Sequence, residues 1–440
     1  MPRCWTLAWL RCTPALLQRA IQLDPNFAMA YLRLGYRYWD LEESSLANEN
    51  IRKAYDLRGD VSEREKLWIE SMYHRAVTGD LNKAHQVCEV WVQTYPRDRS
   101  ALVSSGSLLA DLGRYEQAQA RYREALRLYP EAVQSMYPRI IGFYIELNRF
   151  DEARSTADEA KAKNDDSPAM LWTRYNLAFV QNDSAGMQRE WALASGKPGV
   201  EDFMLKRAAD TAAYFGRLEK ARELSRQAVA SAQQAGLKEA AAGYAAEAAL
   251  REAMFGNDSQ AREGAPAALR ISSGRNVQYL AALAQAVFAS QMLGDDLATR
   301  FPEDTFVHFI YLPTLNAQIA LGSNNGGKAI EYLRVAAPYD LAPAAPAALY
   351  PAYVRGMAYL ASHEGSEAAA EFPKILDHRG LVPYSPIGAL ARLQIGRAYA
   401  MQGDAAKART AYEDFLTLWK DADPDIPILK QAKAEYAKLK

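Results

Sequence analysis

The sequence predicts an all-α protein, an α-solenoid in which helix pairs stack one after another along the chain. Ala47, Ala84, Ala118 and Ala153 recur at intervals of 37, 34 and 35 residues. Each alanine takes the same place in a helix–turn–helix pattern, and apolar residues recur around it with helical spacing. A period near 34 residues with two helices per period indicates such an array. Because each unit contacts mainly its neighbours, 440 residues add repeats rather than separate domains.

The clearest unit spans residues 99–130. Its marker residues are Leu102, Gly106, Leu109, Gly113, Tyr115, Ala118, Tyr122, Ala125 and Pro130. Gly106 and Ala118 are small, so the backbones of the two helices can approach closely, and Leu109 and Tyr122 fill the space beside that contact. Gly113 marks the turn, and Pro130 suits the link into the next helix because its φ is fixed and it lacks an N–H donor.

The other units keep this register to different degrees. Strong repeats cover residues 28–160, degenerate repeats follow over 169–335, and two clear repeats return over 349–418, so that the array as a whole covers 15–335 and 349–418. Residues 277–302 look shortened, because a glycine and two aspartates stand where a second helix is expected. We expect a bend or a loose helix there.

Three segments fit no repeat. Residues 1–14 match no repeat position, and we expect them to be disordered or a truncated start. Residues 336–351 are a connection rich in proline and alanine. Residues 424–440 place apolar side chains on one helical stripe and lysines largely elsewhere, as in a terminal capping helix. A basic amphipathic helix that touches a membrane or an acidic partner is the alternative.

These markers resemble the consensus of the tetratricopeptide repeat: bulky, small, bulky, then alanine, aromatic, alanine and proline. The resemblance implies a right-handed superhelix whose first helices line a concave groove. Residues 60–98, 208–229 and 396–439 also resemble the C-terminal repeat region of bacterial, especially acidobacterial, serine/threonine protein kinases. Related regions occur behind winged-helix DNA-binding domains. In kinase relatives a membrane helix often precedes the repeats, which implies a periplasmic location; a cytoplasmic location is the default.

Composition and motifs argue against several classes of function. The net charge is −1, which disfavours a general nucleic-acid role, and no apolar run is long enough to span a bilayer. The three cysteines form no CxxC motif, and Cys88 takes the place of Tyr122 in its repeat, as an apolar core residue would. Five scattered histidines form no metal-binding motif. We therefore expect no enzyme, no cofactor and no metal.

The resemblance also implies which residues face the groove. The matching positions are Leu32, Tyr36, Trp39, Lys66, Ile69, Tyr73, Val103, Ser107, Tyr350, Tyr353, Met357, Leu393 and Arg397. The lysine–asparagine clamp by which some relatives hold an acidic chain terminus is absent here, so an apolar or amphipathic peptide is the expected ligand. Aromatic residues at helical spacing more often belong to the core than to a groove, which is the alternative for these positions.

The sequence therefore predicts a non-enzymatic scaffold that binds a protein or peptide partner, without identifying that partner. The alternative is a sensory or regulatory module of a kinase or of a winged-helix transcription regulator.

Overall fold

The described residues form helices throughout. The computed structural model describes residues 8–163, 165, 167–197, 200–285, 287–343 and 348–439. These residues form 24 α-helices and contain no β-strand, so the predicted all-α fold is confirmed. Short π-helical segments cover Tyr73–Thr78 and Val307–Tyr311, and short 3-10 segments cover Arg58–Asp60 and Arg334–Tyr339.

The chain divides into two compact units. Unit 1 comprises Met1–Glu201, Gln234–Ala240 and Phe301–Thr305, and unit 2 comprises Asp202–Gln233, Ala241–Arg300 and Phe306–Lys440. The first eleven helices are α1 (Ala8–Leu23), α2 (Ala28–Asp40), α3 (Ser44–Asp56), α4 (Glu63–Met72), α5 (Leu81–Thr94), α6 (Arg99–Asp111), α7 (Tyr115–Leu128), α8 (Val133–Glu146), α9 (Phe150–Ala162), α10 (Pro168–Val180) and α11 (Ser184–Ala194).

The remaining helices are α12 (Glu201–Tyr214), α13 (Leu218–Gln234), α14 (Lys238–Phe255), α15 (Asp258–Ile271), α16 (Arg275–Leu283), α17 (Val287–Arg300), α18 (Leu312–Gly322), α19 (Gly326–Leu333), α20 (Tyr350–Ala361), α21 (Gly365–Asp377), α22 (Pro386–Met401), α23 (Ala405–Leu418) and α24 (Pro427–Ala437). Consecutive helices pair, as in α2 with α3, α6 with α7 and α22 with α23. Gly113, with φ of 74°, ends the first helix of its pair, and Asn148, with φ of 57°, does so one repeat later. Glycine and asparagine adopt this left-handed conformation at the least cost.

The two helices of a pair meet at a glycine and at the residue sixteen positions later. A Cβ atom added to Gly106 would lie 2.7 Å from Cδ2 of Tyr122 and 3.1 Å from the carbonyl oxygen of Ala118. The same contact joins Gly35 to Ile51, Gly356 to Phe372 and Gly396 to Tyr412, where the added Cβ would lie 2.6, 2.6 and 2.9 Å from the partner side chain. The close approach expected from Gly106 and Ala118 is thus present in both units.

Two expectations about irregular segments need correction. Residues 8–14 belong to α1, although residues 1–7 lie outside the described part of the chain. The unit at 277–302 is not shortened, because α17 runs for 14 residues. Its aspartates lie inside α17. Asp296 accepts a hydrogen bond from Gln278 of the preceding helix at 2.6 Å, which links the two helices, and another from Arg300 of its own helix at 3.2 Å.

Residues 336–351 and 424–440 are the predicted connection and the predicted capping helix. Residues 344–347 of the connection lie outside the described residues, and α20 begins at Tyr350. Helix α24 buries Ile428, Leu429 and Ala432.

Unit 1 also contains contacts between segments far apart in the chain. The carboxylate of Glu43 accepts a hydrogen bond from the backbone N–H of Glu239 at 2.8 Å. In return, the carboxylate of Glu239 accepts from the hydroxyl of Ser44 and, at 3.0 Å, from the backbone N–H of Ser45. Each glutamate therefore satisfies N–H donors at the start of the other's helix, where negative charge is favoured.

Two further contacts of this kind involve interhelix turns. In unit 1, the carbonyl oxygen of Gly79 accepts from the N–H of Thr305 at 3.0 Å. In unit 2, the indole N–H of Trp419 donates to the carbonyl oxygen of Tyr214 at 2.9 Å, and the N–H of Asp423 donates to the carbonyl oxygen of Gly216 at 3.0 Å. Distant segments of the chain thus hold each unit together, in addition to the stacking of neighbouring repeats.

Two glycine-to-alanine substitutions should have opposite effects on stability. Gly106→Ala forces Tyr122 to move and should cost about 1–3 kcal/mol of unfolding free energy. Gly243→Ala, inside α14, places its Cβ where no atom lies within 4 Å, so it should stabilise the helix by about 0.5–1 kcal/mol. Urea unfolding followed by circular dichroism measures both, and a Gly106→Ala variant as stable as the wild type would contradict the packing described here.

Candidate functional site

The structure separates the residues predicted to face the groove into two groups. Leu32, Ile69, Ser107, Tyr350, Tyr353 and Leu393 are buried. Tyr36, Trp39, Lys66, Tyr73, Val103, Met357 and Arg397 are partly exposed.

The buried residues have structural partners. Leu32 and Ile69 belong to a core cluster with Ala47 and Ile51, and Leu393 is fully enclosed. Their sequence-based assignment to the groove therefore needs correction, because a side chain without exposed surface contacts no ligand in this conformation. Leu32, Ile69 and Leu393 face the neighbouring helices instead.

Three buried polar residues make internal hydrogen bonds. The hydroxyl groups of Ser107 and Tyr122 lie 2.7 Å apart. The hydroxyl of Tyr350 accepts from Gln318 at 3.0 Å, and the hydroxyl of Tyr353 accepts from Gln394 at 3.2 Å. These three residues thus have polar partners on neighbouring helices, as buried polar groups require.

Two of the partly exposed residues are also engaged. The ring of Tyr73 stacks on Tyr55 with 3.8 Å between ring centroids. Arg397 forms an ion pair with Glu435 at 2.9 Å. Tyr36, Trp39, Lys66, Val103 and Met357 remain as candidates for contact with a ligand.

In unit 1 two of the aromatic candidates lie in one row with charged residues, and we call this row the charged strip. It consists of Tyr36, Trp39, Asp40, Arg75, Asp111, Arg139 and Glu146. Asp40, Arg75, Asp111 and Glu146 recur at intervals of 35, 36 and 35 residues, near the end of the first helix of each pair. The sequence analysis missed these charges because it followed apolar markers; their recurrence at the repeat period was the available signal.

Short contacts join the members of the charged strip. Arg75 forms an ion pair with Asp111 at 2.6 Å, and its guanidinium lies 5.6 Å from the ring centroid of Trp39. Arg139 pairs with Glu146 at 3.4 Å. The side chains of Arg75 and Asp111 keep 13% and 20% of their surface exposed, so a ligand can still reach them.

Two carboxylates of the strip, those of Asp40 and Glu146, have raised pKa values. The carboxylate of Asp40 pairs with Arg37 at 3.0 Å and keeps 35% of its side-chain surface exposed; partial desolvation raises its pKa, although the charges of Arg37 and Arg75 oppose this shift. Burial likewise raises the pKa of Glu146, against the opposing charge of Arg139. The strip therefore presents paired charges and aromatic rings in a partly desolvated setting, where polar contacts with a ligand are stronger than in water.

A second feature of unit 1 is a cavity of about 430 Å³, which we call the arginine cavity. It is lined by Met29, Arg33, Arg64, Glu65, Trp68, Trp91, Asp98, Arg99, Ser100, Tyr129 and Glu131. These residues come from α2, α4 and α5, from the start of α6 and from the residues just after α7.

Asp98 organises one wall of the arginine cavity. It accepts hydrogen bonds from Nε and Nη2 of Arg64 at 2.6 and 2.9 Å, from the indole N–H of Trp91 at 3.1 Å and from the backbone N–H of Ser100 at 2.9 Å. Burial alone would raise the pKa of Asp98, but these hydrogen bonds outweigh it and lower the pKa. The sequence analysis did not single out any of these residues.

None of the described histidines, cysteines, aspartates and glutamates form a group of three or more that could hold a metal ion. Cys88 is a buried free thiol, and burial raises its pKa to about 12, so it is a core residue as predicted and not a nucleophile. No helix within the described ranges is long and apolar enough to cross a bilayer.

Comparisons with known proteins identify the repeats. Residues 109–172 and 353–425 match family models described as tetratricopeptide repeat. The chain therefore contains tetratricopeptide repeats in both stretches, and that part of the resemblance is confirmed. No curated protein matched the chain.

Several solved structures are similar at low identity. The crystal structure of yeast Tom70 is 13% identical over 94% of this chain and 96% of that chain, with a TM-score of 0.37. The APC/C heterotetramer Cut9–Hcn1 is 12% identical over 98% and 94%, with a TM-score of 0.32. The P58(IPK) TPR domain is 13% identical over 86% and 98%, with a TM-score of 0.25. Such low TM-scores support no conclusion about function.

Replacing Asp98 should test the wall of the arginine cavity. Asp98→Asn weakens the four charge-assisted hydrogen bonds that the carboxylate accepts and should cost about 1.5–3 kcal/mol of unfolding free energy at pH 7. Since the pKa of Asp98 is lowered in the folded protein, this stabilisation is complete above about pH 4 and is lost as the pH falls through the folded pKa. The difference between wild type and variant should therefore shrink below about pH 4.

Urea unfolding at pH 7 and at about pH 3.5 measures the effect. Asp151→Asn is the matched control, because the side chain of Asp151 is 92% exposed and its loss should change stability little at either pH. Equal stability of Asp98→Asn and the wild type at pH 7 would contradict the assigned hydrogen bonds.

Proposed function

We propose that this protein is a non-catalytic scaffold whose charged strip in unit 1 binds an extended segment of a protein partner. The observation that carries the proposal is the row formed by Asp40, Arg75, Asp111 and Glu146, which stands at one position of four successive repeats. Tetratricopeptide repeats are typical of protein–protein interaction, and both matched stretches are of this type.

The spacing of the strip suits an extended peptide. Neighbouring packed helices lie about 8–10 Å apart, and an extended chain advances about 3.3 Å per residue. Successive repeats would therefore meet about every third residue of the peptide. The charges of the strip alternate in sign along the chain, from Asp40 and Arg75 through Asp111 and Arg139 to Glu146, so the strip favours peptides that carry both signs of charge.

Tyr36 and Trp39 supply the apolar part of the contact. Both are partly exposed on α2, and rigid aromatic side chains contribute large contact areas at low entropic cost. The partner segment that fits this surface is amphipathic, with charged residues over the strip and an apolar residue against Trp39.

A more specific role is supported by the sequence resemblance alone. In this role the repeats regulate a kinase or a winged-helix transcription factor. An effector domain encoded in the same reading frame, upstream of Met1, would support this alternative, whereas an unrelated upstream gene would count against it.

A photo-crosslinking experiment tests the scaffold proposal. A benzoylphenylalanine at position 39 should crosslink to one partner segment in cells, while the same residue at position 332 in unit 2 should not. Tyr332 is a suitable control because it is an aromatic residue with 36% exposure. Crosslinks of equal yield and identity at both positions would contradict specific binding along the strip.

Affinity measurements with the purified partner complete the test. Trp39→Ala should weaken binding by at least about tenfold, as expected for loss of an aromatic anchor, whereas Tyr332→Ala should leave the affinity unchanged. Circular dichroism of each variant checks that helicity is retained. Unaltered affinity of Trp39→Ala would remove the strip from the binding site.

A further inference from the structure

We infer that the arginine cavity of unit 1 binds a phosphorylated side chain of the partner polypeptide. The inference rests on the proposed function, since it assigns a chemical group to the partner that the charged strip holds. It is carried by unpaired cationic donors around the cavity, by the engagement of the nearby carboxylates, and by the position of the cavity on the same helix face as the strip.

The first observation concerns three guanidinium groups. Arg33 and Arg99 line the cavity with exposed side chains. Among the residues that the structure describes, no carboxylate lies within 4 Å of either guanidinium. The guanidinium of Arg33 lies 5.4 Å from the ring centroid of Trp68, a cation–π contact that orients it. Arg64 bonds Asp98 through Nε and Nη2, which leaves the hydrogens of Nη1 for a ligand.

The second observation concerns the carboxylates of the cavity. Asp98 is saturated by Arg64, Trp91 and the N–H of Ser100. Glu65 closes a capping box with Ser62 at the start of α4. Glu131 is exposed and makes no ion pair within the described part of the chain. Two of the three acidic groups are thus held by hydrogen bonds within the fold, while Arg33 and Arg99 keep their hydrogen-bond donors available for an anion.

The chemistry of these donors favours a phosphate monoester. Guanidinium groups bind phosphate oxygens with two parallel hydrogen bonds each, and such charge-assisted bonds are stronger than neutral ones. A phosphate carries nearly two negative charges and three acceptor oxygens at pH 7. A carboxylate offers one charge and two oxygens, too few for three guanidinium groups.

The position of the cavity favours a polypeptide as the carrier. Met29 and Arg33 in the cavity, and Tyr36 and Asp40 in the charged strip, follow one another on α2 at spacings of four, three and four residues. These positions lie on one face of a helix. At 1.5 Å per residue, Arg33 and Asp40 are about 10 Å apart along the axis, which an extended peptide spans with about three residues.

The arginine cavity is larger than a phosphate group and has aromatic side chains in its lining. The cavity holds about 430 Å³ and includes Trp68, Tyr129 and Met29. These side chains would contact the carbon atoms of the phosphorylated residue and its neighbours. The arginines of the cavity do not stand at the positions of the lysine–asparagine clamp by which some relatives bind acidic chain ends. That clamp is absent from this sequence.

Three immobilised peptide libraries test the inference with the full chain. Each library has four randomised residues on either side of a central position, which is phosphoserine in the first, serine in the second and glutamate in the third. The measured quantity is the fraction of purified protein retained. The wild type should be retained by the phosphoserine library at least about tenfold better than by the other two.

Paired variants locate the site. Arg33→Glu with Arg99→Glu should abolish the preference for phosphoserine. Arg52→Glu with Lys161→Glu changes the net charge equally at two exposed positions of unit 1 outside the cavity and should keep the preference. Circular dichroism verifies that both double variants are folded.

The other possible results contradict either the phosphate site or the proposed function. Equal retention by the phosphoserine and serine libraries would overturn the phosphate site while leaving protein binding by the strip intact. Equal retention by the glutamate library would overturn the assignment to phosphate. Equal loss with both double variants would show attraction by general charge and would also overturn it. Failure of the crosslinks at position 39 would contradict the proposed function instead.

Discussion

The close contact between a glycine on the first helix of a pair and the side chain sixteen residues later underlies the rest of the structure. At Gly35, Gly106, Gly356 and Gly396 a methyl group would collide with the partner side chain. The fully buried Ala47, Ala118, Ala368 and Ala408 lie twelve residues after these glycines, four before each partner. Because protein interiors are closely packed, this contact fixes how the two helices of these four pairs lie against each other. The stacking of one pair on the next follows from that geometry.

The candidate site is a consequence of this repeated geometry. Once the pairs are fixed, the same position in successive repeats lies on neighbouring first helices, so charges that recur with the repeat period meet in space. Arg75 and Asp111 are 36 residues apart in the chain and 2.6 Å apart in the structure. The arginine cavity lies at the opposite end of some of the same helices, where α6 begins at Arg99. The stacking of helix pairs thus positions both the charged strip and the arginine cavity.

The sequence was sufficient for the fold and for the contacts inside a repeat. Gly106, Ala118 and Tyr122 could be placed because their spacing is local and recurs. The surface of the first helices was harder to predict, since Leu32 and Tyr36 both stand beside repeat markers and only packing decides that Leu32 is buried. Polar partners were also missed: the sequence indicated a bend or a loose helix around Asp296, whereas its carboxylate accepts hydrogen bonds from Gln278 and Arg300 within regular helices.

Contacts between distant segments could not be predicted from the repeat pattern. Glu43 meets Glu239, and Trp419 meets Tyr214, across 196 and 205 residues of sequence. Such pairs depend on which distant repeats meet within the folded unit. A period of about 34 residues does not predict which repeats meet. Hydrogen bonds to backbone N–H and carbonyl groups also leave little trace in side-chain patterns, because any residue can supply the backbone partner.

A double-mutant cycle between positions 106 and 122 tests the central claim most directly. The free energy of unfolding is measured for the wild type, Gly106→Ala, Tyr122→Val and the double variant. If the glycine is required because the tyrosine ring presses on it, Gly106→Ala should be destabilising in the wild-type background and nearly neutral in the Tyr122→Val background, with a coupling of about 1 kcal/mol or more. Additive effects of the two substitutions would contradict the account.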